Sequence, residues 1–107
     1  MRDMRWFKDV HDRYIRLTSE RQHHFETDHP EMRGQIAKIE ETLKEPDIIV
    51  RSRVDPSVEL FYKRYSETPV SEKFLCVVVK IGNGDASIIT AYFTDSIKKG
   101  EVLWRRS

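Results

Sequence analysis

Histidine, arginine, lysine, tyrosine and threonine make up the reactive inventory of this chain, and their spacing limits the chemistry open to it. The four histidines are His11, His23, His24 and His29. No two of them have the i, i+4 spacing that lets two imidazoles meet one metal on a helix. His24 and His29 are five apart with Pro30 breaking the register, so a set of His24, Asp28 and His29 is the metal arrangement left open, against the expectation of no metal and no cofactor. There is no glycine-rich phosphate loop and no glycine-flanked serine to act as a nucleophile. The same residue types have a use without metal. RNA is cut when its own 2′-hydroxyl attacks the adjacent phosphate, which needs a base at that hydroxyl, an acid at the leaving 5′-oxygen and cations for the charge on phosphate. Imidazole exchanges protons near neutral pH, guanidinium grips phosphate through two bonds, and tyrosine stacks on bases.

The elements that would carry these groups fall into two halves. Tyr14-Ile15-Arg16-Leu17 alternates as a short strand, while residues 1–13 have no clear period and read as an arm or edge strand. Ser19 with Gln22 matches a capping box and opens a short helix to about Thr27. Pro30 fits the first turn of a second helix whose stripe is Met32, Ile36, Ile39 and Leu43, and which Pro46 ends. From Asp47 on, strands are expected at Ile48 to Ser52, Val58 to Tyr65, Phe74 to Ile81 and Ser87 to Thr94, the last two joined through Gly82-Asn83-Gly84-Asp85. Asp95-Ser96 should cap a short turn ended by Gly100, with Val102-Leu103-Trp104 packing back as a last strand or tail.

Helices first and an antiparallel meander second predict an α+β domain over 1–107, with two N-terminal helices on a four- to five-stranded antiparallel sheet. Alternation sends Ile89, Ala91 and Phe93 toward the helices and leaves Ile88, Thr90, Tyr92 and Thr94 on an open face. In the preceding strand it sets Leu60, Tyr62 and Arg64 against Phe61, Lys63 and Tyr65. Arg64 with Tyr62 is the favoured pair for the open face, and a bulge would reverse the choice in favour of Lys63 and Tyr65. Trp6 and Trp104 read as core or tail anchors rather than base platforms.

Composition narrows the classes. A chain of 107 residues with 38% apolar and 35% charged residues makes one folded domain with a heavily charged surface. Its net charge of +1 gives no global argument for nucleic acid, although basic residues recur at Arg51, Arg53, Lys63, Arg64, Lys98, Lys99, Arg105 and Arg106. The lone Cys76 sits in the most apolar run, which excludes a disulfide framework and favours a buried thiol. No stretch suits a signal peptide or a membrane span, so no membrane partner and a cytoplasmic location are expected.

The run from Leu17 to His24, His29-Pro30-Glu31, the stretch Leu43 to Pro46-Asp47, Tyr62-Lys63-Arg64-Tyr65, Val77-Val78-Val79, Ile89-Thr90-Ala91-Tyr92-Phe93 and Lys98-Lys99-Gly100-Glu101 resemble the phage-associated nucleases of the barnase, EndoU, colicin and RelE fold group. The resemblance covers about Tyr14 to Trp104. It implies N-terminal helices on a four-stranded antiparallel sheet and metal-independent RNA cleavage of a toxin-like kind. RNA, and a cognate antitoxin or immunity protein, are the partners it implies. Carried onto this chain, it makes His24 the first choice for acid or base with His29 the alternative, and Arg21 a phosphate contact three residues from His24 on the same helix. Arg64 and Thr90 complete the expected catalytic set, with Tyr62, Lys63, Tyr65, Tyr92 and Thr94 binding substrate. The alternative is a nuclease-fold module without catalysis that binds RNA or a protein.

Overall fold

A computed structural model describes residues 4–107. Among these, seven strands form one mixed sheet in the order β1-β2-β6-β5-β4-β3-β7. The elements in chain order are β1 (Met4–Lys8), β2 (Tyr14–Thr18), α1 (Ser19–Asp28), α2 (Ile36–Lys44), β3 (Ile48–Arg51), β4 (Val58–Arg64), β5 (Phe74–Gly82), β6 (Asp85–Thr94) and β7 (Val102–Arg105), with a single 3-10 turn at Pro30–Met32 before α2.

This corrects the expected sheet of four or five antiparallel strands. Strands β3 to β6 do form a consecutive antiparallel meander. The difference lies at its flanks. Residues that lack a period still supply β1, which pairs antiparallel with β2, and the chain's end adds β7 outside β3. Strand β2 then joins β6 in parallel through Arg16 and Ser87, which makes the sheet mixed. Edge strands need only one buried residue to hold them, Phe7 in β1, so alternation is faint there. Residues 1–3 of the expected arm lie outside the described residues.

The helices also begin differently from expectation. Thr18, not Ser19, caps α1, its hydroxyl accepting from the Arg21 amide at 3.0 Å. Pro30 starts only the 3-10 turn, because Gly34 takes a positive φ of 77° and breaks the register before α2 begins at Ile36. Met32 nevertheless stays in line with Ile39 and Leu43, and all three are fully buried.

Both helices cover one face of the sheet. Their Phe25, Ile39 and Leu43, with Met32 of the 3-10 turn, meet Ile49, Phe61, Leu75, Val77, Val79, Ile88, Ala91 and Phe93 in one core. The opposite face carries a smaller cluster of Ile48, Val50, Val58, Leu60, Tyr62 and Cys76. A bulge sets the alternation of β6. Val78 pairs with Thr90 but Val79 pairs with Ile88, so Ile89 is an extra residue. Ile88 therefore enters the helix-side core and Ile89 lies on the open face, the reverse of the expected assignment.

Candidate active site

Cross-strand register arranges the open face in rows, since partners in neighbouring strands share a side of the sheet. Arg64, Phe74 and Thr94 make one row, Tyr62, Cys76 and Tyr92 the next, and Leu60, Val78 and Thr90 the third. The segment between β6 and β7 crosses these rows as a strap. The Lys98 amide donates to the Tyr62 hydroxyl at 3.1 Å. Two residues on, Gly100 lies so close to β3 that a Cβ there would come within 2.3 Å of the Arg51 carbonyl oxygen and 2.8 Å of Val50 Cγ1. Only glycine fits such an approach.

Under the strap's edge lies a cavity of about 560 Å³. Its apolar floor is Val58, Leu60 and Val78, its polar wall is Thr90 and Tyr92, and Arg53, Lys98 and Lys99 stand around it. No carboxylate lines it. An apolar floor beside exposed cations suits a planar ring joined to an anion.

His29 reaches the same face. It follows α1, which lies against β6 where β2 has parted from that strand, and its ring sits 5.6 Å from that of Tyr92 at 38°. Glu31 Oε2 lies 3.7 Å from His29 Nδ1, which leaves Nε2 as the nitrogen free to meet a ligand. Burial, then the neighbouring Cys76, pushes the Tyr92 hydroxyl above its ordinary pKa. Burial likewise raises the Cys76 thiol to about 11, which makes it inert.

The expected site residues separate accordingly. Thr90 and Tyr92 line the cavity and His29 lies against Tyr92, while Thr94 and Arg64 share the row on the other side of Tyr92, the Arg64 guanidinium 5.8 Å over the Phe74 ring. Tyr62 is on this face but fully buried, and its hydroxyl accepts from the Lys98 amide, so it holds the strap and offers no exposed ring. Lys63 and Tyr65 belong to the helix side. The Lys63 ammonium donates to the Glu45 carbonyl at 2.9 Å beyond the end of α2, and the Tyr65 hydroxyl donates to Glu41 at 2.8 Å. His24 and Arg21 are exposed on α1; Arg21 falls in the i, i+4 line of Phe25 and His29, while His24 is turned about 100° from it.

Reasoning from the sequence missed Arg53, Lys98 and Lys99 as cavity residues, and Glu31 as the partner of His29. The signal for the lysines was Gly100, read as a turn terminator when it marks a close crossing. No cluster of three or more potential metal ligands occurs among the described residues, and none of their helices is long and apolar enough to cross a membrane. Compared with known proteins, the chain matches no family model, no curated protein and no solved structure.

Proposed function

We propose that this protein is a metal-independent endoribonuclease of a toxin-like kind, with its active site on the open face of the sheet. The observation that carries the reading is His29 packed beside Tyr92, a residue that also lines a cavity whose walls hold no carboxylate and include Arg53, Lys98 and Lys99. A base lies on the apolar floor and the phosphate meets the lysines of the strap. His29 Nε2 takes the proton of the 2′-hydroxyl, the new P–O2′ bond forms as the P–O5′ bond breaks, and a strap lysine ammonium protonates the leaving 5′-oxygen. The Tyr92 hydroxyl donates to a phosphate oxygen as charge builds there. A cytoplasmic location and a cognate inhibitor protein belong to the same reading.

The test is cleavage of total RNA by purified protein in EDTA, with end-group analysis. Fragments ending in 2′,3′-cyclic phosphate or 3′-phosphate are expected, whereas 3′-hydroxyl ends or dependence on added metal would reject the mechanism. One feature favours a second reading, a module that binds RNA without cutting it: a single imidazole serves a reaction with two proton transfers. Salt-dependent RNA binding with no cleavage of any substrate would establish that alternative.

A further inference from the structure

The outer surface of the β1–β2 hairpin presents two aromatic side chains that the core does not use. Trp6 is 56% exposed and Tyr14 62% exposed, against the expectation of Trp6 as a core or tail anchor rather than a base platform. Together they line a second cavity, of about 400 Å³, whose other wall is the β5–β6 turn. That wall is Gly82, Gly84 and Asp85, and at Gly84 nothing stands within 4 Å of where a Cβ would be, so a flat ring can approach the backbone.

Register ties this surface to the active site. Lys80 pairs with Ser87, Ser87 with Arg16, and Arg16 with Trp6, which makes one continuous row across the open face. Lys80 pairs on its other side with Val58 of the cavity floor, so the row runs from the cavity that holds the proposed reacting phosphate out to Trp6. Its cations stand in exposed ion pairs, Lys80 with Asp55 and Arg16 with Asp85, of a kind weak enough to exchange for phosphate. Lys8 adds a third, its ammonium 5.4 Å over the Tyr14 ring. The hairpin is held in place by Arg13, which bridges Asp9 in the β1–β2 turn to Glu59 in β4.

We propose that Trp6 and Tyr14 are a second base-stacking platform, which holds the single-stranded RNA on one side of the scissile phosphate. The inference rests on the ribonuclease reading and gives it a substrate class: a single strand several nucleotides long, bound along the sheet rather than at one nucleotide. Exposed rings take bases of any sequence, while the row of cations follows the backbone.

The experiment compares a dinucleotide with an unstructured decanucleotide. Binding of the decanucleotide is measured by anisotropy in full-length His29→Ala protein carrying in addition Trp6→Thr, Tyr14→Thr or neither, the threonines keeping strand propensity. Each ring removed should weaken that binding about tenfold, the loss of one stacked base. Dinucleotide cleavage by protein that retains His29 should be unchanged by either substitution. Equal decanucleotide affinities in all three proteins would overturn the platform and leave the active site standing. Equal losses on the two substrates would also overturn it, since the hairpin would then act only by supporting the fold. Failure of the unsubstituted hairpin to bind or cut either RNA would bring down both readings.

Discussion

The two faces of the central strands are built from alternate residues of the same segments, yet they are finished in opposite ways. Beneath α1 and α2 the side chains are aliphatic or aromatic and fully enclosed, and even the polar Lys63 and Tyr65 at the end of β4 are spent on α2. On the other side a thinner apolar cluster is roofed only in part, by a strap held through the Tyr62 hydroxyl, the close approach of Gly100 and the bonds of Arg51 to Glu101. Enclosure by helices supplies stability. A partial roof leaves exposed cations beside an apolar floor, an arrangement open to a ligand.

Substitutions sharpen this contrast. Phe61→Ala, on the covered face, should cost about 3–5 kcal/mol in chemical denaturation, whereas Val78→Ala on the cavity floor should cost well under half of that. Equal losses would mean that the open face is as much a core as the covered one. Gly100→Ala drives a methyl group into the β3 backbone and should cost about 1–3 kcal/mol while slowing RNA cleavage, because the strap that carries Lys98 and Lys99 must lift. A stable Gly100→Ala protein with full activity would show that the lysines do not depend on the strap. Tyr62→Phe removes one buried hydrogen bond and should cost about 1 kcal/mol, with weaker RNA binding and no change in the covered core. A further effect is electrostatic. The Cys76 thiol ionises near 9 in the unfolded chain and near 11 in the fold, so stability should fall as pH rises from about 9 to about 11. In Cys76→Ser that slope should flatten, as seen by urea titrations at several pH values.

Much of the covered face could be read from the chain. The stripe of Met32, Ile39 and Leu43 and the β-branched runs from Ile48 to Phe93 are strong periodic signals, because a face in contact with helices must be apolar throughout. The edges could not be read in that way. Strand β1 buries only Phe7, and β7 is four half-exposed or exposed residues, so neither has a pattern that distinguishes it from a tail. The bulge at Ile89 was invisible for a different reason: adjacent isoleucines at 88 and 89 satisfy either register, and only the pairing with β5 chooses between them. At the site, Thr90, Tyr92 and Arg64 followed from alternation. The order of His24 and His29 was not legible in the sequence, since it turns on where the chain emerges after α1, which sets His29 beside Tyr92 at the edge of β6 and leaves His24 exposed on the helix.

The central claim is that the open face cuts RNA with His29, and the most direct test is the rate of RNA cleavage in EDTA for the native chain, His29→Ala and His24→Ala side by side. Loss of a general acid or base predicts a fall of about 10²–10⁴-fold for His29→Ala, with native folding by circular dichroism and with His24→Ala close to the native rate. Full activity in His29→Ala, or the large loss appearing instead in His24→Ala, would contradict the account.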